Sequence, residues 1–482
     1  MRKNKFVIGL MVFMLVFSAM PLHSYAAPEP QLEGECAILM EKSTGKILYE
    51  KNMDAKAFPA STTKILTVLV MLDYMDLDEV IVMGSEVNEI PPGSSKAGHK
   101  VGSSISGYNL LRGLMLPSGN ESGCVVAMEV ARRVTGNSNL NYTEAEYIFS
   151  DLMNEKARSL GAESSNFVNP HGYHHDRHYT TAHDMALICA AALDIPVFAE
   201  IAAETLYEGD SVSENVTDDM VLDSYVWKTT NLLITEGSEY YYEYARGIKT
   251  GFTTPAGYCL ASTAQKDGMD LIAIVFHSIE GQRYADSIRL YDYGFEGYEF
   301  MQVQVSGTVV DNVGFNNPQL GKITNMDVEV KGEYKDLFKK ERYERLVKEI
   351  VYDPEYVYIP TQEELEKKAE SGEPDENEGK VLIKLPIEKG SVIGHISYSI
   401  DGEEIYIGEL VATVDAGART KESDFEYYKA EFMAFIVTKN AIPYWIGFIL
   451  IILLILFVII RLLAGLFRSR GRRRVHYKRR RY

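Results

Sequence analysis

The spacing of apolar residues changes character three times along the chain. Near the start, CAILMEK and KILYEK flank the turn Ser43-Thr44-Gly45, so Cys36–Tyr49 predicts a β-hairpin. Ile65, Leu66, Val68, Leu69 and Leu72 then recur at helical spacing. Leu110–Leu116, Val125–Val134 and Met185–Leu193 predict three more helices. Strand patterns return at Arg246–Thr253, Tyr258–Gln265 and Leu271–Ser278, the last two joined by a turn at Lys266-Asp267-Gly268. The order strands, helices, strands predicts an α+β domain whose two ends meet in one antiparallel sheet.

From about Met301 the pattern shortens to alternating strands such as MQVQV, MDVEV and VLIKL. Gln362–Gly379 is acidic and poor in apolar residues, which predicts a helix followed by a mobile loop. Ser391–Val414 returns to strands, so residues 301–416 read as a separate small β-rich domain. Arg419–Asn440 reads as a helical stalk.

The two ends change the picture. Arg2, Lys3 and Lys5 precede an apolar run from Phe6 to Phe17, and Ser24-Tyr25-Ala26-Ala27 supplies small residues for cleavage. Residues 1–26 therefore read as a secretory signal peptide. Ala441–Ile460 is an uncharged apolar run, long enough for a membrane-crossing helix, with Tyr444 and Trp445 near its start. Ten arginines and lysines follow in residues 461–482, which predicts a cytoplasmic tail and an extracytoplasmic body. The two ends carry +3 and +10, so the segment between them carries −32 of the overall −19. A body that acidic repels nucleic acid, which leaves no nucleic-acid partner to expect. Cys36, Cys124, Cys189 and Cys259 each sit in an apolar or small-residue run and read as buried free thiols.

Three short segments carry chemistry. In PASTTKIL, Ser61 and Lys64 lie one helical turn apart on one face. A serine hydroxyl needs a base, and a lysine is a base only when burial or a nearby cation lowers its pKa. In LMLPSGNESG, Ser118-Gly119-Asn120 breaks a helical run and can present a hydroxyl and an amide to a cleft. In GIKTGFTT, Lys249 and Thr250 on a strand can bind a carboxylate, while Gly251 lets a substrate backbone approach. Alone, these are also a capping serine, a turn and a strand with one exposed lysine. Together they give the series S-x-x-K, S-x-N, K-T-G on a helix, a loop and a strand, the set shared by serine β-lactamases and penicillin-binding proteins.

The sequence resembles the low-molecular-mass penicillin-binding proteins that act as serine D-Ala-D-Ala carboxypeptidases. AILMEKSTGKILYEKN, NFVNPHGYHHDRHYTTAHDMA and TTNLL ahead of GIKTGFTTPAGYCLASTA extend the likeness over roughly residues 30–290. The resemblance implies a penicillin-binding, β-lactamase-like transpeptidase fold over 30–295, an antiparallel sheet flanked by helices. The small β-rich domain and a C-terminal transmembrane helix follow it. It also implies that peptidoglycan stem peptides are substrates and β-lactams covalent inhibitors, with no cofactor. Carried over, Ser61 is the acylated nucleophile, Lys64 its proton acceptor and Ser118 the second active-site serine. Asn120, Lys249, Thr250, Gly251 and Phe252 bind substrate, and the backbone N–H groups of Ser61 and Phe252 form the oxyanion hole. The family usually anchors by an amphipathic helix, whereas this chain has a full apolar span.

Other readings share these motifs. A DD-endopeptidase differs only in its substrate. A class A β-lactamase carries a deacylating glutamate in an E-x-x-L-N context, but here Asn137 precedes Leu140-Asn141 at that spacing. A non-catalytic cell-wall sensor would keep the fold for binding alone. His171, His174, His175, His178 and His183 cluster with Asp176, yet their spacing matches no standard zinc pattern, and no metal is expected.

Overall fold

The computed structural model describes residues 28–214, 216–359, 361–371 and 381–471. The expected signal peptide, the second half of the basic tail and the loop expected after the acidic helix lie outside the described residues. Contacts divide the chain into two units, Met1–Met301 with Lys335–Arg345, and Gln302–Tyr334 with Leu346–Tyr482.

The first unit is built on five antiparallel strands: β1 (Cys36–Glu41), β2 (Ile47–Lys51), β3 (Ala245–Thr253), β4 (Gly257–Lys266) and β5 (Met269–Ser278), in the order β2-β1-β5-β4-β3. The N-terminal hairpin thus joins the three later strands, with Ile38 opposite Ile274. Both faces of the sheet are covered. Ile38, Met40, Ile272, Ile274 and Phe276 pack into one apolar cluster, while the alternate residues Ala37, Leu39, Leu271, Ala273 and Val275 pack into another. That is why these strands read as continuous apolar runs rather than as alternation.

Five helices matter for the site or its support: α1 (Lys64–Tyr74), α2 (Gly107–Met115), α3 (Asn120–Thr135), α4 (Tyr142–Ser159) and α5 (Ala182–Leu193). A sixth, α6 (Gln282–Gly297), supplies Tyr284, Leu290 and Tyr291 to the second cluster. The sequence pattern did not reveal α4. Its buried apolar residues, Ala145, Phe149, Met153 and Ala157, make a stripe one residue wide at four-residue spacing. Its start is instead fixed by a capping box between Asn141 and Glu144.

The second unit contains a seven-stranded sheet. Its strands are β6 (Val309–Phe315), β7 (Asn325–Lys331), β8 (Leu346–Tyr352), β9 (Val357–Tyr358), β10 (Leu382–Ile383), β11 (Val392–Ile400) and β12 (Glu403–Ala412). The order is β8-β11-β12-β7-β6-β10-β9. The expected VLIKL strand shrinks to Leu382–Ile383, paired parallel to β6. The acidic segment does begin with a helix, Gln362–Ser371. After the sheet come α7 (Lys421–Ile436) and α8 (Ile442–Gly471). Among the described residues one helix, Lys439–Ala464, is long and apolar enough to cross a membrane.

Candidate active site

Ser61 lies in a single 3-10 turn, Ala60–Thr63, and Lys64 is the first residue of α1. The turn places the two side chains on one face. Lys64 Nζ stands 3.1 Å from Ser61 Oγ, 2.8 Å from Asn120 Oδ1 and 3.0 Å from the carbonyl oxygen of His171. Carbonyl and amide oxygens only accept hydrogen bonds. A neutral lysine therefore spends its two N–H groups on Asn120 and His171, and its lone pair faces the Ser61 hydroxyl. Lys64 is fully buried, and burial pulls its pKa from the usual lysine range to about 7, against a smaller opposing pull from Glu121. The base form is thus accessible near neutrality, which an exposed lysine does not allow.

Asn120 opens α3, and its side-chain amide nitrogen donates to Ser94 Oγ at 2.9 Å. That bond orients Oδ1 toward Lys64. Ser118 lies two residues earlier, buried, with a left-handed backbone (φ +62°) between α2 and α3. Its hydroxyl is not among the three groups bonded to Lys64.

β3 is an edge strand of the sheet and carries the third motif. Lys249, expected on the strand as part of a carboxylate site, is buried to 1 % exposure, with Nζ donating to the Thr250 carbonyl at 3.1 Å, so it is not the exposed strand lysine that the motif taken alone also allows. Burial, then the charges of Lys64 and Arg283, hold its pKa well below the ordinary value. A substrate carboxylate would supply the compensating charge. The Thr250 hydroxyl lies 2.5 Å from that of Thr230. Gly251 packs on the nucleophile's own backbone: a Cβ there would sit 3.0 Å from the Ser61 nitrogen and 3.0 Å from the Ala60 Cβ. A side chain there would crowd the turn that carries Ser61 unless the turn shifted. Phe252 is half exposed beside it. A cleft of about 360 Å³ is lined by Ser61, Ser94, Asn120, His171, Tyr173 and Phe252, among others.

The histidine-rich segment builds the floor of this site. The His171 carbonyl holds Lys64, the Pro170 carbonyl accepts from the Thr67 hydroxyl at 2.6 Å, and His178 bonds Thr63. Burial keeps both His171 and His178 neutral by pushing their pKa values down. Gly172 (φ +78°) is another contact point, since a Cβ there would lie 1.8 Å from the Ala60 carbonyl oxygen. Among the described residues no group of three His, Cys, Asp or Glu side chains could hold a metal ion. Sequence reasoning missed the supporting roles of Ser94, Gly172 and Thr230. The glycine beside His171 and the threonine in TTNLL were visible, but nothing local marks which groups they will meet. All four cysteines are buried and unpaired.

Residues 23–279 match the sequence profile of the peptidase S11 family, described as D-alanyl-D-alanine carboxypeptidase. The chain belongs to this family. The D-alanyl-D-alanine carboxypeptidase DacF of Bacillus subtilis is 29 % identical over 395 residues, which span 80 % of this chain and 86 % of the relative. The crystal structure of penicillin-binding protein 5 from Haemophilus influenzae superposes with a TM-score of 0.53 at 22 % identity, covering 80 % of this chain and 98 % of that one, and shows the shared fold. The Streptomyces K15 DD-transpeptidase matches at 27 % identity with a TM-score of 0.50, over 55 % of this chain and 98 % of its own. The K15 match covers about the share of this chain that the peptidase S11 profile covers. The two fuller matches leave about a fifth of this chain uncovered.

Proposed function

We propose that this D-alanyl-D-alanine carboxypeptidase removes the terminal D-alanine of peptidoglycan stem peptides through an ester on Ser61. The buried Lys64 amine, placed among Ser61 Oγ, Asn120 Oδ1 and the His171 carbonyl, carries this reading. Ser61 Oγ attacks the penultimate D-Ala carbonyl, and its proton passes to Lys64. The oxyanion forms against the backbone N–H groups of Ser61 and Phe252. The C–N bond then breaks, the departing amine takes a proton by way of Lys64 and Ser118, and water hydrolyses the ester. Lys249 and Thr250 receive the free terminal carboxylate, which selects a chain end over an internal bond. Asn120 holds the substrate amide as well as the lysine. A β-lactam enters the same sequence, and its ring opens onto Ser61.

Mass spectrometry of the penicillin-treated protein, with D-Ala release from an acyl-D-Ala-D-Ala peptide, tests this. The expected result is one adduct on the peptide containing Ser61, lost in Ser61→Ala, together with free D-Ala. An adduct retained in that variant would overturn the mechanism. Release of D-Ala only from cross-linked dimers would favour an endopeptidase.

The location is part of the same proposal. Residues 1–26 direct export, α8 anchors the chain in the cell membrane, and the basic tail stays in the cytoplasm. The catalytic unit, residues 30–295, then faces the cell wall, followed by the β-rich domain and the 419–440 stalk.

A further inference from the structure

We propose that His178 is a positioning residue that, through Thr63, fixes and polarises the Ser61 N–H used as an oxyanion donor. The proposal rests on the acyl-enzyme reading above.

The proton positions follow from the bonds. His178 Nδ1 accepts the Val168 N–H at 3.1 Å, so that nitrogen carries the lone pair. The proton of the neutral ring is then on Nε2, which lies 2.9 Å from Thr63 Oγ1. Thr63 in turn donates its own hydrogen to the Ala60 carbonyl at 2.8 Å. The chain runs one way, from Val168 N–H through imidazole and hydroxyl to the Ala60 oxygen. That oxygen belongs to the same peptide group as the Ser61 N–H.

Two consequences follow. The bond to Ala60 O sets the rotation of a peptide whose Ala60 residue sits in left-handed backbone (φ +47°), an uncommon state that needs outside support. It also draws electron density toward the oxygen, and linked hydrogen bonds strengthen one another in a buried setting. His178 and Thr63 are both buried, at 2 % and 0 % exposure. Burial holds the imidazole neutral, with a pKa of about 3, so the relay keeps its direction. The ring is further seated edge-on against Phe167, with centroids 5.4 Å apart. Neither side chain lines the cleft, and both spend their polar atoms on the relay.

The test uses the full-length protein in detergent, with four variants: Thr63→Val, Thr63→Ser, His178→Phe and His178→Gln. Three quantities are read: the acylation rate constant with a penicillin, the infrared stretch of the acyl-enzyme carbonyl, and thermal unfolding. T63V and H178F should each slow acylation about tenfold, a fraction of what a lost oxyanion donor costs. They should also move the carbonyl stretch to higher frequency, because a less polarised N–H pulls less on the ester oxygen. T63S and H178Q keep the hydroxyl or the donor and should recover most of the rate. The double variant T63V/H178F should be no slower than about either single one, since both break one relay. Wild-type rate and carbonyl band in T63V would overturn the proposal, and so would losses that multiply in the double variant. If H178F does not fold, T63V decides alone. A wild-type protein that forms no acyl-enzyme brings down the underlying mechanism, and this proposal with it.

Discussion

The two large sheets of this protein solve different problems. In the five-stranded sheet both faces are buried, and the strands β1, β4 and β5 are buried over most of their length. In the seven-stranded sheet burial alternates, as in β7, where Met326, Val328 and Val330 are buried while Asn325, Asp327 and Lys331 are exposed. The first arrangement excludes water from the edge where β3 meets the 3-10 turn. There two lysines, Lys64 and Lys249, are held almost without solvent. A lysine in that setting has a lowered pKa and can act as a base. A one-sided sheet has no comparable dry edge. The difference explains why the chemical motifs all fall in the first unit.

The comparison predicts a graded series of effects. Ser61→Ala should reduce acylation by at least about 1000-fold, as loss of a nucleophile does elsewhere. A smaller loss in stopped-flow labelling would place the chemistry elsewhere. Gly172→Ala drives a methyl into the Ala60 carbonyl, and acylation should fall roughly 100-fold, as for a misplacement of about 1 Å. Unchanged labelling would show that the turn is not held where the structure puts it.

Acylation should rise with pH through about 7, where Lys64 loses its proton, and fall about tenfold per unit below it. A flat profile from pH 5 to 9 would remove Lys64 as the base. The stability sign follows from the same shift. Between about 7 and the ordinary lysine range the unfolded chain binds a proton that the folded protein does not. The Lys64 contribution to stability therefore improves as pH rises through that window, and is least favourable below it.

Smaller effects separate the sheets themselves. Phe276→Ala removes a fully buried ring from the two-sided sheet and should cost about 3–5 kcal/mol, with loss of labelling at 37 °C. Val328→Ala in β7 removes less apolar surface, costing about 1.5 kcal/mol, and should leave labelling intact. Denaturant melts followed alongside labelling distinguish the two. Equal effects of both on labelling would erase the contrast. Truncation after Thr438 removes α8 and should release the protein from membranes with acylation unchanged. A truncated form that still sediments with membranes would locate the anchor elsewhere.

The chain pattern by itself determined the strand–helix–strand order, the change of texture near Met301, the apolar C-terminal span and the three motifs. Each of these is local, because periodicity, turn residues and short motifs are written within a few residues. The structure decided the rest. Burial of Lys249, the approach of Gly251 to Ser61 and the service of Gly172 and His178 beneath the nucleophile all depend on residues more than a hundred positions apart meeting in one place, and the narrow stripe of α4 depends on the neighbouring helices that cover it. Whether a lysine is a surface charge or a base is set by what covers it, and only the folded chain supplies that cover.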